Sequence, residues 1–210
     1  MVFLLDFLRS QLLFKVPEPT TPFTDQTVII TGANTGLGFE AAKHFVALSA
    51  KKVILACRSI EKGEAAKVAI EESTKRTGVV EVWALDLSSY DSVKTFAERT
   101  NGLERLDVLL ENAGIETREF RMMEDNESTI TVNVVSTFLL ALLLLPKMRE
   151  TNEKFGVLPT LSIVSSALHF LANFDEKKGE NIFATLNDKK TAKMGDRYGD
   201  PSHRFLSQKS

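Results

Sequence analysis

The sequence predicts an α/β fold, a Rossmann-type doubly wound parallel sheet in a single domain. Short apolar, β-branched runs alternate with helical segments after Gln26. A glycine-rich turn, TGANTGLG at residues 31–38, separates the first of these runs from the first helical segment. The length of 210 residues is consistent with one domain, since domains span about 100–200 residues.

Five strands and four helices account for most of the chain. Strands are predicted at 27–31, 53–56, 79–85, 106–110 and 160–165, and helices at 39–48, 61–75, 89–99 and 126–149. The strands are rich in β-branched and aliphatic residues, the second helix is rich in Ala, Glu and Lys, and Ser89 is an N-cap for the third. This alternation places helices on both faces of a parallel sheet, whose ligands bind at the carboxyl ends of the strands.

The predicted domain spans residues 23–198 and is preceded by a segment of different character at residues 1–22. Residues 1–16, MVFLLDFLRSQLLFKV, place apolar side chains at helical spacing and predict an amphipathic helix, and residues 17–22 are a Pro-rich linker. Asp6 and Arg9 make the helix too charged to span a bilayer, and it lacks a signal-peptide pattern. We interpret it as a helix that covers the core, with a peripheral membrane contact as the alternative.

The net charge and the cysteine and histidine content limit which partners, cellular compartments and metal sites are expected. A formal net charge of −2 gives no indication of nucleic-acid or anionic-membrane binding. Cys57 is the only cysteine, which excludes an intrachain disulfide and fits a reducing, cytoplasmic location. His169 has no second His or carboxylate at metal-ligand spacing, so no metal site is predicted.

Residues 138–145 are eight consecutive apolar residues within the fourth predicted helix. The run is too short to cross a membrane, and a helix that is apolar on all sides is expected to be buried on all sides. Its second face packs either within the core of one chain or on a partner subunit. A homo-oligomer through residues 126–149 is therefore one of two expectations.

The glycine-rich turn predicts a phosphate site. The N-terminus of a helix offers backbone N–H groups and the positive end of its dipole to an anion. The glycines at positions 32, 36 and 38 let the backbone turn tightly and approach a pyrophosphate. We expect this group to be bound by the following residues of the turn: Gly32, Asn34, Gly36, Leu37 and Gly38.

Five ordered motifs together resemble the short-chain dehydrogenases/reductases, near the fungal members of the retinol-dehydrogenase-like and WW-domain-oxidoreductase-like branch. They are the glycine-rich turn, Asp86-Leu-Ser, Asn112-Ala-Gly114, Asn133 within TVNV, and the strand end IVSS at 163–166. The resemblance covers about residues 20–198. It implies an oxidoreductase that interconverts an alcohol and a carbonyl on a lipophilic small molecule, in fungal relatives often within secondary-metabolite pathways.

The residues after the second predicted strand favour NADP(H) over NAD(H). An acidic residue at this place holds a free ribose 2′-OH, whereas here Arg58 follows the strand and Lys62 comes four residues later. A guanidinium suits a 2′-phosphate because it forms paired charge-assisted hydrogen bonds. Solvated surface charge is the alternative for both side chains. The resemblance further implies that Asp86 binds the adenine amine and that Asn112, with Ala113 and Gly114, lines the ribose region.

The resemblance also implies the catalytic residues. A tyrosine that transfers the carbonyl proton corresponds to Tyr198, a serine that binds the carbonyl oxygen corresponds to Ser166, with Ser165 as the fallback, and the supporting asparagine corresponds to Asn133. Structural alternatives are a turn cap for the serine pair and a satisfied core amide for Asn133. Residues 167–193 carry several apolar side chains and are interpreted as one wall of an apolar substrate site, or as a surface excursion.

The pattern departs from the family after Tyr198. The resemblance implies a lysine four residues later, where this chain has Ser202. Residues 199–210 form an atypical tail, and family members usually continue for about one more βαβ unit, so the last unit is predicted to be missing. A catalytically impaired homologue that binds cofactor or acts as a partner protein is the alternative function, and a chain that does not fold stably alone is a third possibility.

Overall fold

A five-stranded parallel sheet with helices on both faces forms the centre of the protein in the computed structural model, which describes residues 17–166 and 174–194. The elements are β1 (Thr27–Thr31), α1 (Gly36–Ala47), β2 (Lys52–Cys57), α2 (Ile60–Thr74), β3 (Val80–Ala84), α3 (Tyr90–Thr100), β4 (Val108–Glu111), β5 (Met122–Met123), β6 (Asn126–Glu127), α4 (Ser128–Phe155), β7 (Thr160–Ile163), a 3₁₀ turn (Asp175–Lys178) and α5 (Ile182–Leu186).

The strand order is β3-β2-β1-β4-β7, and every pair in this sheet is parallel. Ile29 of β1 is in register with Ile54 of β2 on one side and with Leu109 of β4 on the other. The order reverses between β1 and β4, and the crevice at such a point, beyond the carboxyl ends of the strands, is where ligands of these folds bind. The predicted Rossmann-type doubly wound sheet is therefore confirmed.

Two apolar layers enclose the sheet because side chains alternate along each strand. Ile29 packs with residues of α3 and α4 on one face, and Val28 and Ile30 pack with residues of α1 and α2 on the other. All five residues of β1 are buried, as expected for a central strand covered on both faces. The continuous apolar run TVII, rather than an alternating pattern, was the sequence signal for this placement.

The predicted elements agree with the structure within a few residues at most ends. The first strand has the predicted bounds, and the cap at Ser89 accepts a hydrogen bond from the backbone N–H of Ser92. The fourth strand begins two residues later than predicted. The N–H of Leu106 donates to Oγ1 of Thr151 instead of to a neighbouring strand, and the carboxylate of Asp107 accepts from the N–H of Thr27.

The long helix α4 begins and ends later than predicted. Its N-terminus is capped by Glu127, whose carboxylate accepts from the N–H of Thr129, and it ends at Gly156, where φ is +65°. Residues 131–136 within it form a π-helical segment that the sequence analysis did not predict. Such segments are rare and occur frequently at functional sites.

The expectation that α4 is buried on all sides is wrong within this chain. Leu140 and Leu144 are fully buried, but Phe138 and Leu142 are 55% and 64% exposed on the outer face. By length and composition α4 could cross a membrane, yet half of its most apolar window is buried inside the domain. The choice between core packing and a subunit contact for its second face stays a prediction.

The sheet has a second apolar surface at its β7 edge. All four residues of β7 are exposed, although Leu161 and Ile163 are apolar. Strands of parallel sheets are normally covered on both faces. Four predictions concern residues outside the described part of the chain: the N-terminal helix at 1–16, His169, Tyr198 as the catalytic tyrosine, and the tail at 199–210.

Candidate functional site

The glycine-rich turn joins the carboxyl end of β1 to the first turn of α1. Gly32 and Gly36 have φ angles of +65° and +61°, a region that L side chains rarely adopt. A Cβ on Gly32 would lie 3.0 Å from Cα of Ala113, whereas nothing lies within 4 Å of the place of a Cβ on Gly36. Gly32 therefore packs the turn against the end of β4, and Gly36 leaves open space beside the backbone.

Gly38 allows α1 to pack closely on the sheet. A Cβ there would lie 2.5 Å from Nδ2 of Asn112 and 2.6 Å from the carbonyl oxygen of Gly32. The same Asn112 amide donates to the carbonyl oxygens of Thr31, at 3.1 Å, and Gly32, at 3.4 Å. In this structure Asn112 thus supports the glycine-rich turn, while its predicted place beside a ribose stays a prediction.

The N-terminus of α1 differs from those of the next two helices. The side chains of Ser59 and Ser89 cap α2 and α3 by accepting backbone N–H groups, but Thr35 makes no such bond at α1. No acidic residue stands in the first turn of α1 either. Uncapped N–H groups and the positive end of the helix dipole are therefore available to an anion at this one N-terminus.

A cleft of about 150 Å³ lies beside this turn at the carboxyl ends of the strands. Its lining combines a glycine-rich backbone, one cation, one carboxylate and a larger set of apolar side chains. The lining residues are Gly32, Asn34, Ala56, Arg58, Leu85, Asp86, Leu87, Ser88, Ala113, Gly114, Ile115, Met123 and Val132. The turn, the end of β2, the end of β3 and the start of α4 thus meet at one place, as the strand order requires.

The two predicted cations after β2 are in different positions. Arg58 is exposed and lines the cleft, directly after the last residue of β2. Lys62 is exposed in the first turn of α2, where its backbone N–H donates to Oγ of Ser59, and it does not line the cleft. The structure therefore brings Arg58 to the predicted cofactor residues, whereas Lys62 stands outside the lining.

Asp86 is held in a fixed orientation just after β3. Its Oδ1 accepts from the backbone N–H of Ser88 at 2.9 Å and from the hydroxyl of Ser88 at 2.7 Å, and its own N–H donates to Oγ of Ser92 at 2.9 Å. These bonds occupy one carboxylate oxygen and place the residue in the cleft wall between the buried side chains of Leu85 and Leu87. An aromatic base between apolar walls with a carboxylate at its edge is compatible with this geometry.

Asn133 connects the π-helical segment of α4 to the loop after β4. Its Oδ1 accepts from the N–H of Ile115 and its Nδ2 donates to the carbonyl oxygen of Ile115, both at 2.8 Å. Oδ1 also stands 3.3 Å from the place of a Cβ on Gly114, so the loop passes close to it. The arrangement fits the satisfied core amide that was the alternative, and it fixes the backbone of Ile115 in the cleft wall.

Ser166, the predicted catalytic serine, is half-buried three residues after β7. The N–H of Val164 donates to the carbonyl oxygen of Glu111, which keeps the chain beside β4 beyond the last residue of the strand. Ser166 therefore lies at the same edge of the sheet as the glycine-rich turn. The assignment of the catalytic serine stays a prediction, because Tyr198 is outside the described residues.

Sequence reasoning missed the hairpin of β5 and β6. Met123 of the hairpin lines the cleft, and Oγ1 of Thr131 donates to the carbonyl oxygen of Met123 at 2.6 Å. Asn187, at the end of α5, accepts from the N–H of Glu127 at 2.8 Å and donates to Oδ1 of Asn126 at 2.9 Å. The hairpin thus fastens the segment at 174–194 to the start of α4, and short strands of two residues leave no periodic signal in the sequence.

Glu111, the last residue of β4, is a second feature that the sequence analysis did not single out. It is 3% exposed, and neither carboxyl oxygen has a hydrogen-bond partner among the described residues. Burial raises the pKa of Glu111 to about 8. A charged residue at the end of the apolar strand VLLE was the available signal.

Comparison with known proteins identifies the family to which this chain belongs. A family profile described as short chain dehydrogenase matches residues 26–168, which include the turn, the cleft and β7. The chain belongs to the short-chain dehydrogenase family. A short chain dehydrogenase/reductase of Cryptosporiopsis sp., dmxR8, is 52% identical over 190 residues, which cover 89% of this chain and 59% of the relative.

Two further short-chain dehydrogenases show the extent of the match. The short chain dehydrogenase atnD of Emericella nidulans is 49% identical over 194 residues, covering 91% of this chain and 62% of the relative. A short chain dehydrogenase of Escherichia coli CFT073, solved in complex with NADPH, superimposes with a TM-score of 0.60 at 25% identity, covering 90% of this chain and 73% of that one. The chain thus spans about three fifths of the length of these two fungal relatives.

Members of the short-chain dehydrogenase family bind a nicotinamide cofactor, and the residues of this cleft fit such a group. The uncapped N-terminus of α1 and the open backbone beside Gly36 suit a pyrophosphate. Leu37, 75% exposed in the first turn of α1, stands beside this position. The described residues contain no cluster of three His, Cys, Asp or Glu side chains that could hold a metal ion.

Proposed function

We propose that this chain is the cofactor-binding part of an NADP(H)-dependent oxidoreductase that interconverts an alcohol and a carbonyl on a lipophilic small molecule. The observation that carries the choice of NADP(H) is Arg58 in the cleft wall directly after β2. A carboxylate at this place would hold the free 2′-hydroxyl of NAD(H), whereas a guanidinium pairs with a 2′-phosphate. The E. coli relative solved with NADPH supports the same choice.

The residues of the cleft would bind the cofactor as follows. The N–H groups of the first turn of α1 would donate hydrogen bonds to the pyrophosphate oxygens, and Arg58 would pair with the 2′-phosphate of the adenosine ribose. The part of the cleft that is lined by Leu85 and Leu87 would receive the adenine, with Asp86 at its edge. When bound, the cofactor supplies or accepts the hydride.

The proton of the reaction would be handled by side chains of this chain. By the family resemblance, the Tyr198 hydroxyl gives its proton to the carbonyl oxygen during reduction while Ser166 donates a hydrogen bond to the same oxygen. Asn133 holds the backbone of Ile115 in place by two hydrogen bonds of 2.8 Å. A lipophilic substrate is supported by the exposed apolar side chains of Phe174 and Phe183 in the segment at 174–194.

The test is a titration of the purified protein with NADPH and with NADH, read by fluorescence and by thermal shift. We expect NADPH to bind more tightly than NADH. In Arg58→Ala the affinity for NADPH should fall by about tenfold to a hundredfold, as expected for losing a charge-assisted pair worth roughly 1.5–3 kcal/mol, and NADH should be unaffected.

Lys67→Ala is the matched control, because Lys67 is a cation of the following helix α2 that lies outside the cleft lining. Equal losses for both cofactors in Arg58→Ala would argue against a 2′-phosphate contact. No binding of either cofactor to a folded protein would overturn the cofactor assignment as a whole.

A second candidate is a cofactor-binding protein without turnover. It is favoured by Ser202, which stands where the family resemblance implies the lysine that lowers the pKa of the catalytic tyrosine. An assay of NADPH oxidation with a panel of lipophilic aldehydes and ketones separates the candidates. Turnover by the unmodified chain supports the enzyme, and cofactor binding without turnover supports the second candidate.

A further inference from the structure

Two polar side chains are buried without a partner under the cofactor cleft. Both carboxyl oxygens of Glu111 and the hydroxyl oxygen of Ser136 are inaccessible, and none of them has a hydrogen-bond partner among the described residues. Glu111 is 3% exposed and Ser136 is fully buried. Leaving a buried polar group without a hydrogen-bond partner is destabilising, so native proteins pair nearly all of these groups.

The two side chains face the same layer of the fold. Leu109 of β4 and Leu140 of α4 belong to one buried cluster between the sheet and α4. Glu111 follows Leu109 by two residues and so points to the same face of the sheet. Ser136 precedes Leu140 by four residues and lies on the same side of α4. Glu111 and Ser136 therefore lie nearer to the cleft than Leu109 and Leu140 do.

Thr31 adds a third polar group at this level. It follows Ile29 by two residues in β1, and Ile29 belongs to the same buried cluster. Oγ1 of Thr31 accepts the N–H groups of Asn112, at 3.0 Å, and Ala113, at 2.9 Å. Its hydroxyl proton is thus left for a third partner, and the loop that it holds is a wall of the cleft.

The elements packed against Glu111 bring no charged side chain to it. β1, β7 and the part of α4 at 131–144 contain no Asp, Glu, Lys, Arg or His. Burial alone raises the pKa of Glu111, with no contribution from a neighbouring charge. A carboxyl group in this environment is protonated, and its O–H group needs a hydrogen-bond acceptor.

We propose that Thr31, Glu111 and Ser136 form an internal polar site that binds water beneath the cofactor cleft, with Glu111 as a neutral carboxylic acid. A buried water makes about three hydrogen bonds and needs polar partners on several sides, which these side chains supply. The water accepts from the carboxylic acid of Glu111 and from the hydroxyl group of Thr31, and it donates to the hydroxyl oxygen of Ser136. The site stabilises the loop at 112–114 through Thr31, and its formation does not depend on a bound cofactor.

Infrared difference spectra of the cofactor-free protein at pH 6 test this site. We expect the carbonyl stretch of a protonated carboxyl group in the unmodified chain and its loss in Glu111→Gln. Glu98→Gln, at an exposed carboxylate of α3, is the matched control and should leave that band in place. In Ser136→Ala the band should shift upward, because the carboxyl group loses part of its hydrogen bonding.

A crystal structure at high resolution gives the second readout. An ordered water within hydrogen-bond distance of both Glu111 and Ser136 is the expected result. A direct bond between the two side chains, or an ionised carboxyl group in the infrared spectrum, would overturn the proposal. Neither measurement uses the cofactor, so the site can fail while the cofactor assignment stands, and the reverse.

Discussion

We expect the stability of this domain to fall as the pH rises through neutrality, because Glu111 stays protonated there in the folded state. Its pKa is 4.5 in the unfolded reference and about 8 in the folded protein. Between these values the folded state holds a proton that the unfolded state has released, so each pH unit lowers the free energy of unfolding by about 1.4 kcal/mol. At pH 7 the accumulated loss is about 3 kcal/mol, and above pH 8 it levels off near 5 kcal/mol.

Glu111→Gln removes this ionisation while keeping the shape of the side chain. We expect the variant to be more stable than the unmodified chain by about 3 kcal/mol at pH 7 and nearly equal to it at pH 4.5, where the carboxyl group is neutral in the folded state and only half ionised in the unfolded state. Urea unfolding followed by circular dichroism between pH 4.5 and pH 8.5 measures the difference. The two proteins losing stability in parallel over this range would refute the reasoning, because the slope would then come from other groups.

Three further substitutions test the turn, the base of the sheet and the hairpin. Gly38→Ala places a Cβ 2.5 Å from Nδ2 of Asn112, so the turn must move and affinity for NADPH should fall at least tenfold in the fluorescence titration, about 1.4 kcal/mol. Asp107→Asn leaves the buried guanidinium of Arg105 without its carboxylate, so urea unfolding should show a loss of about 3–5 kcal/mol. Asn187→Ala removes the bonds to the hairpin, and limited trypsin digestion should cut within 174–194 sooner than in the unmodified chain.

The parallel sheet was predictable because its signals are local. A buried central strand needs a continuous apolar run, and TVII of β1 supplies it. The tight turn after β1 needs glycine where φ is positive, at Gly32 and Gly36. Each of these requirements falls on a few adjacent residues, so they can be read without knowing which other parts of the chain lie nearby.

The contacts of the site were less predictable because they join residues far apart in sequence. The sequence predicted both Arg58 and Lys62 as cations that bind the cofactor, yet of the two only Arg58 lines the cleft. The helix α2 begins between them, and Lys62 on this helix lies outside the lining. The amide of Asn112 bonds to carbonyl oxygens of the turn about 80 residues earlier, a contact that the sequence did not predict. No local pattern encodes either outcome.

The exposed apolar face of α4 was also not predictable from the sequence. Residues 138–145 are apolar on every side, which predicted burial on every side. The structure buries Leu140 and Leu144 against the sheet and leaves Phe138 and Leu142 exposed. Apolarity tells which side chains favour an apolar environment, whereas the packing of the chain determines which of them receive one.

The sequence by itself determined the Rossmann-type sheet, the glycine-rich turn and the family, because strand hydrophobicity, glycine placement and motif order are properties of short segments. Only the tertiary structure decided that Thr35 leaves α1 uncapped, that Asn133 holds Ile115, and that Glu111 lies buried beneath the cleft. Burial and hydrogen-bond partners depend on which segments meet in space. The pKa of a carboxyl group follows from that environment and not from its neighbours in the chain.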